Sequence, residues 1–153
     1  GPHYLPLIRQ SGAAPSAPVA VLEQPTDLTT LGSKFADFAT QFIANHSAAP
    51  FFLYLAFAHV HTADFNAPGN QYAGCRFRGA TRRGRFGDAL LEVDWIVAQV
   101  AAKLEALGID GNTLLLFTGD NGPWMERSIA AGAAGVFHGR YAGYWNTGKG
   151  STW

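Results

Sequence analysis

Residues 84–124 read GRFGDALLEVDWIVAQVAAKLEALGIDGNTLLLFTGDNGPW, and they contain the clearest structural pattern of the chain. Apolar residues recur at spacings of three and four, which predicts an amphipathic helix that ends at Gly108. The residues of this stripe are Leu90, Val93, Val97, Val100, Leu104 and Leu107. The run TLLLFT at 113–118 has the length of a strand that is covered on both faces. A helix, a short turn and a buried strand therefore follow one another here.

The first half of the chain repeats this order. Apolar residues fall on one helical face between 29 and 45, and either Asp27 or Thr29 is positioned to cap the start of that helix. The face comprises Leu31, Phe35, Phe38, Phe42 and Ile43. Pro50 ends the pattern, and the run FFLYLAF at 51–57 follows as a second candidate for a buried strand.

Two stretches lack a helical or strand period. Residues 10–20 are rich in Pro, Ala, Gly and Ser and are expected to form a loop or connector, and residues 62–86 are expected to form a long loop with several arginines. The order helix, strand, long loop, helix, strand predicts an α/β fold in which helices cover the faces of a sheet. Functional groups in such sheets collect at the carboxyl ends of the strands.

The composition of the 153 residues limits the classes of function. Apolar residues make up 48% and charged residues 14%, which indicates a folded interior. Basic and acidic residues balance at 11 each, so no nucleic-acid partner and no membrane surface are expected. The longest apolar run, 50–58, is too short to span a bilayer, and no signal peptide is recognised. A single cysteine, Cys75, excludes an internal disulfide framework and a Cys-based zinc site.

Polar side chains follow both predicted strands. Asp120 and Asn121 come after the second strand, and their oxygens suit calcium or magnesium, although Asp and Asn before Gly-Pro are also ordinary turn residues. His59 and His61 come after the first strand. If strand geometry persists, both point to one side, where they would bind metal or transfer protons. The alternative is a pair of partly buried histidines that hydrogen-bond to backbone carbonyls.

Three further features allow more than one interpretation. Lys149 in GKGST is either a cation that contacts an anionic group or a solvated loop lysine, because the glycine spacing of a phosphate loop is absent. Cys75 has no clear base among its sequence neighbours, which favours a thiol with a structural role or none over a nucleophile. The arginines of the long loop would bind a polyanion or would simply be solvated. These are Arg76, Arg78, Arg82, Arg83 and Arg85.

Taken together, three segments resemble the sulfatase family. PFFLYLAFAHVH at 50–61 looks like the strand that leads into the family's His-x-His segment, residues 84–124 look like its helix, turn and Asp-Asn-Gly strand end, and GKGSTW at 148–153 looks like the segment that runs on into Glu-Gly-Gly. The resemblance extends from about Ala20 onward. It implies the alkaline-phosphatase-like α/β/α sandwich of sulfatases, of which residues 1–153 would be a central part.

The resemblance also implies roles for individual residues. Asp120 and Asn121 would be ligands of one calcium ion, and Asp120 would also assist deprotonation of the nucleophile. His61 and Lys149 would contact the sulfate group and help to protonate the departing oxygen. His59 would support the site without contacting sulfate.

Two departures from the family pattern bear on these expectations. Ala63 stands where sulfatases often carry proline. The nucleophile is formylglycine, made from the cysteine of a Cys-x-Pro/Ala-x-Arg motif, but Cys75 is followed by Arg76, Phe77, Arg78 and Gly79. Formylglycine and the paired aspartates of the calcium site are therefore expected upstream of this chain. The isolated 153 residues are expected to be inactive.

The expected function is hydrolysis of sulfate esters of the arylsulfatase type. The substrate would be a sulfated small molecule or a glycosaminoglycan, and the location lysosomal or in the secretory pathway. A related phosphatase or phosphodiesterase with two zinc ions is one alternative. A non-catalytic homologue that binds sulfated glycans through its arginines and aromatic residues is another.

Overall fold

The computed structural model describes residues 5–12, 14, 16–61 and 72–122. Within these residues the regular elements are strands β1 (Leu7–Gln10) and β2 (Val19–Glu23), helices α1 (Leu31–His46) and α2 (Gly84–Ala106), and single 3-10 turns at Cys75–Phe77 and Asp110–Asn112. The two long helices pack against each other, and they form the centre of the described structure. Neither of them has the length and apolar character needed to cross a membrane.

Strands β1 and β2 form an antiparallel hairpin that the sequence pattern did not predict. Their register pairs Leu7 with Glu23 and Gln10 with Val19. The segment 10–20, expected to be loop or connector, thus contributes its ends to the strands and only its middle to the turn. Most side chains of the hairpin are exposed, so the strands lack the alternation of buried and exposed residues by which a strand is recognised.

Helix α1 agrees with the predicted helix to within two residues. Asp27 does act just before its start, where its carboxylate accepts the backbone N–H of Thr29 at 2.9 Å, but it does so in a turn, and the cap position itself is Thr30. The predicted apolar face was wrong at Phe38, which is 55% exposed. Ala39 lies in the core instead, because a small side chain lets α2 approach closely.

Helix α2 ends where the sequence predicted. Gly108 follows its last turn with φ +66°, a conformation that glycine adopts without a steric penalty. Val100 and Leu104 are buried as expected and pack with Ala39 and Ile43 of α1 in the central apolar cluster.

The apolar stripe predicted for α2 combined two different faces of the helix. Ile96, absent from that stripe, is fully buried, whereas Leu90 and Leu107 are exposed. Leu90 and Val97 instead line a shallow groove of about 510 Å³ together with Phe117. The helix therefore packs against α1 on one side and faces the second predicted strand segment on another.

The two predicted strands, 51–57 and 113–118, belong to no sheet within the described residues. Residues 51–57 nevertheless keep a strand-like alternation, with Phe51 and Leu53 packed on the helical core while Phe52 is 85% exposed. Within the described residues, only one face of this segment is covered. A strand ladder needs a neighbouring backbone to exchange N–H and C=O hydrogen bonds, and no described segment lies beside it in that way.

A buried carboxylate fastens the loop that precedes α2. Asp88 lies in the second turn of the helix and is 3% exposed. Its oxygens accept the backbone N–H of Gly79 at 2.8 Å and the N–H and hydroxyl of Thr81 at 2.9 and 3.0 Å. Gly87 is required beside this contact, since an added Cβ would lie 2.3 Å from the Thr81 hydroxyl. The loop is thus held to α2 through a charged acceptor as well as by packing of the buried Phe77, whose ring centre lies 5.9 Å from that of Trp95.

These hydrogen bonds determine the protonation of Asp88. Burial by itself raises the pKa of its carboxyl, but the donors of Gly79 and Thr81 favour the charged form, and the net pKa lies below the ordinary value of 3.8. A lowered folded-state pKa stabilises the protein above the unfolded-state pKa. That contribution is lost as the pH falls through the folded-state value.

We expect Asp88→Ala to lower the free energy of unfolding by about 2 kcal/mol, because the partly buried hydrogen bonds from Gly79 and Thr81 lose their charged acceptor. Urea denaturation of the intact protein at pH 7 measures this loss. The exposed residue Glu105 on the same helix provides the control, and Glu105→Ala is expected to have little effect. The difference between wild type and Asp88→Ala should shrink when the pH falls below about 3.8, and a difference that stays constant down to pH 2 would contradict the assigned role.

Candidate active site

The segment predicted as the first strand, 51–57, is followed by a turn that separates the two histidines. The N–H of His61 donates to the carbonyl of Ala58 at 3.1 Å, which closes a turn directly after the extended segment. The His59 side chain is fully buried, whereas His61 is exposed. Strand geometry, on which a common direction of both histidines depended, does not persist here, because the turn ends the two-residue alternation of a strand.

His59 is buried against a carboxylate. Its Nε2 lies 3.0 Å from Oε2 of Glu92, whose side chain is only 3% exposed. The same carboxylate oxygen accepts the backbone N–H of Gly74 at 2.7 Å. Since the oxygen acts as an acceptor towards Gly74, this pattern assigns the donated proton of the imidazole to Nε2. His59 is thus a buried histidine, but its partner is an acid rather than the backbone carbonyl that was considered from the sequence.

Glu92 fits into a pocket formed by glycines. A Cβ added to Gly32, in the first turn of α1, would lie 2.2 Å from Oε1 of Glu92, and one added to Gly74 would lie 2.8 Å from the same atom. Glycine at these two positions gives the carboxylate its space between α1 and the loop. Three separate parts of the chain therefore meet at one buried acid.

Sequence reasoning overlooked both buried acids of α2. Asp88 and Glu92 are four residues apart, so they lie one turn apart on one face of the helix, within the row that also buries Ala89 and Val93. The usable signal was an acid at a position where the helical period requires an apolar residue. Such an acid is buried only when hydrogen-bond donors surround it.

The second strand end presents Asp120 and Asn121 in an exposed bend. The Asn121 amide donates from Nδ2 to the carbonyl of Gly122 at 2.8 Å, which leaves its Oδ1 directed away from that bond. The Asp120 carboxylate accepts no hydrogen bond from another described residue. A carboxylate and an amide oxygen have the donor chemistry that calcium prefers, but calcium takes six to eight oxygen ligands. The described segments contain no group of three or more His, Cys, Asp or Glu that could hold a metal.

The remaining predicted site residues are only partly described. Lys149 and Ala63 lie outside the described residues. Cys75 is a free, exposed cysteine at the start of the 3-10 turn before α2. The structure therefore describes His59, His61, Asp120 and Asn121, but it does not gather them into one metal-binding cluster.

Some of the loop arginines have structural partners. The Arg76 guanidinium lies 3.7 Å from the ring centre of Trp95 on α2, and Arg78 donates from Nε to the carbonyl of Ala73 at 3.0 Å. Cation–π stacking and a backbone hydrogen bond hold these two side chains on the protein. The loop is thus more ordered between 72 and 83 than a freely solvated arginine-rich segment would be.

Comparison with known proteins identifies the wider group. Residues 17–152 match the family model described as Sulfatase. The chain is 39% identical over 137 residues to steryl-sulfatase of Rattus norvegicus, covering 90% of this chain and 22% of the relative. It is 40% identical over 136 residues to arylsulfatase G of Homo sapiens, covering 86% of this chain and 23% of the relative. Arylsulfatase A of Bos taurus is 36% identical over 138 residues, which cover 89% of this chain and 24% of the relative.

The matches agree with the sequence resemblance and add to it. VLEQPTDLTTLGSKFADFATQFI at 21–43 and the stretch 118–153 look most like arylsulfatase G, and that protein is among the relatives, alongside steryl-sulfatase at almost the same identity. The chain spans between a fifth and a quarter of the length of these relatives. The family match implies an alkaline-phosphatase-like α/β fold, with which the helices of the described part are consistent. Because the family model covers most of its length, the chain belongs to the sulfatase family.

Proposed function

We propose that the full-length protein containing this chain hydrolyses sulfate esters, and that residues 1–153 are a central part of its catalytic domain. The observation that carries this proposal is the sulfatase match over 17–152, a range that includes both strand ends and Lys149. A sulfuric ester hydrolase of the arylsulfatase type is the function that suits this match and the site residues best.

His61 is proposed to act on the leaving group. When the S–O bond of a sulfate ester breaks, negative charge develops on the departing oxygen, and a nearby acid that donates a proton lowers the barrier. An exposed imidazole in the turn after 51–57 is accessible to substrate in a way that the buried His59 is not. Lys149 is proposed to share this task by placing a positive charge beside the same oxygen.

Asp120 and Asn121 are proposed to hold a calcium ion together with ligands from outside this chain. The exposed bend leaves the Asp120 carboxylate without a hydrogen bond from the described residues, which suits a ligand role. When bound, a divalent cation stabilises the negative charge on the sulfuryl oxygens. The chain contributes oxygen ligands to it, and Asp120 is also proposed to help deprotonate the nucleophile.

The nucleophile is proposed to lie outside these 153 residues. The one cysteine, Cys75, has arginine and phenylalanine after it and does not match Cys-x-Pro/Ala-x-Arg. The substrate is proposed to be a sulfated sugar, as in a glycosaminoglycan, in the lysosome or the secretory pathway. Exposed arginines before α2, such as Arg82, would add positive charge near a polyanionic substrate.

Substitution of the proposed proton donors tests the reaction. In the full-length protein we expect His61→Ala and Lys149→Ala each to lower kcat for an aryl sulfate by about 100-fold or more, the usual contribution of a positioned acid. Steady-state kinetics at several pH values measure this. His46→Ala and Lys103→Ala, which change the same residue types on α1 and α2, serve as controls and should keep wild-type rates.

Other substrates and ligands distinguish the proposed sulfatase from the two alternative functions. Hydrolysis of an aryl phosphate but not of an aryl sulfate would favour a phosphatase. Salt-sensitive binding to heparin without hydrolysis would favour a glycan-binding homologue. Full activity of His61→Ala would rule out the role given to that histidine.

Metal content tests the second strand end. We expect the full-length protein to contain calcium. Asp120→Ala and Asn121→Ala should each weaken calcium binding at least about tenfold, since mutation of residues that only hydrogen-bond to metal ligands already lowers metal affinity by this factor. Elemental analysis and calcium titration measure the effect. Asp110→Ala, in the exposed 3-10 turn after α2, is the matched control. Zinc in place of calcium, or unchanged affinity in both variants, would contradict the assignment.

The isolated chain provides a separate test. Residues 1–153 alone are expected to hydrolyse no sulfate ester, because the formylglycine motif is not in their sequence. Turnover of an aryl sulfate by the purified 153-residue chain above that of its His61→Ala variant would show that the nucleophile lies within it after all.

A further inference from the structure

We propose that Glu92 is a positioning residue for the active site, acting through His59 on the turn that carries His61. This inference rests on the proposed sulfatase function, since it assigns a role to Glu92 in the same reaction. Glu92 itself is buried in the middle of α2 and is not proposed to contact substrate.

Glu92 and His59 are in direct contact in the interior. The two side chains are almost completely buried, and the Nε2–Oε2 distance is 3.0 Å. At the opposite side of the ring, Nδ1 is buried and has no hydrogen-bond partner within the described part of the chain. Within that part, the imidazole is oriented by one hydrogen bond, to Glu92, and by contact with the Tyr72 ring, whose centre lies 6.0 Å away.

His59 and His61 lie in the same turn of the backbone. The backbone before the turn is fixed by apolar packing, since Phe51, Leu53 and Leu55 lie against the helical core. Glu92 fixes the next point, the His59 side chain. His61 follows only two residues later, and its N–H bonds back to Ala58 at 3.1 Å within the same turn. A shift of the His59 ring would therefore move the backbone that presents His61.

An acid at the buried position 92 has a cost in free energy. Burial of a carboxylate costs free energy unless its oxygens are paired, and a well-packed apolar side chain is often at least as stable. The Glu92 carboxylate pairs with both the His59 ring and the Gly74 N–H. It thereby joins the turn at residues 58–61 to the loop that begins at residue 72. Stability alone does not require this arrangement, whereas precise placement of the turn does.

The test uses the full-length protein and an aryl sulfate substrate. We expect Glu92→Ala to lower kcat between about 10- and 100-fold with little change in KM, because a misplacement of about 1 Å of a catalytic group costs on this order. Glu92→Gln should keep most of the activity, because its amide oxygen still accepts from His59 and Gly74. Asp88→Asn, which alters the neighbouring buried acid without touching His59, should lower stability but leave kcat unchanged.

Two further experiments disturb the same contact in different ways. Gly32→Ala keeps the acid but forces its carboxylate aside, because the new Cβ would lie 2.2 Å from Oε1. It should lower kcat in the same way as Glu92→Ala. In a double-mutant cycle, the variant that combines His59→Ala with Glu92→Ala should lose no more activity than the more severe single variant. Both substitutions remove the same interaction, the hydrogen bond between the two side chains.

The outcomes separate this inference from the proposed function. If His61→Ala lowers kcat but Glu92→Ala, Gly32→Ala and His59→Ala do not, the positioning role is wrong and the proposed function stands. If Glu92→Gln is as impaired as Glu92→Ala, or if the cycle is additive, the positioning role is also wrong. If wild type hydrolyses no sulfate ester, or His61→Ala keeps full activity, the failure lies with the proposed function.

Discussion

Two carboxylates buried one turn apart on α2 organise the described part of this protein. Asp88 accepts three hydrogen bonds from the loop before the helix, and Glu92 accepts hydrogen bonds from His59 and Gly74. A buried charge is tolerated only where such donors converge on it. The donors to Glu92 lie 18 and 33 residues before it and those to Asp88 lie 7 and 9 residues before it, so the two acids determine how the loop and the histidine turn sit on the helix. The proposed placement of His61 depends on the second of these acids, through the contact of Glu92 with His59.

The helices cover only one face of the extended segment 51–57. Phe51 and Leu53 lie on the core formed by α1 and α2, while Phe52 and Tyr54 on the other face are exposed. The segment 113–118 likewise exposes Leu114 and Leu116. Apolar surface of this extent is costly in water. A catalytic domain in which further helices pack on these faces would cover it, which agrees with the proposal that these residues are a central part of such a domain.

The division of labour between the histidines follows from the same geometry. His59 is enclosed and bonded to an acid, so it is suited to holding the backbone in place, whereas His61 is exposed and suited to meeting a substrate. The Asp120–Asn121 bend follows segment 113–118 and offers oxygen ligands. The proposed chemistry therefore relies on short turns, and the helices beneath give at least the first of them a fixed position.

The sequence by itself determined the features that depend on neighbouring residues. Helix α1, the end of α2 at Gly108 and the chemical character of Asp120 and Asn121 follow from local periodicity, backbone freedom and side-chain type. The family resemblance likewise came from local motifs and was confirmed by the match over 17–152. Only the tertiary structure decided which face of α2 is buried, that His59 and His61 point to different surroundings, and that Asp88 and Glu92 are interior. The physical reason is that burial of an acid depends on donors such as Gly74 and Gly79, which folding brings to it from elsewhere in the chain and which no local period can reveal.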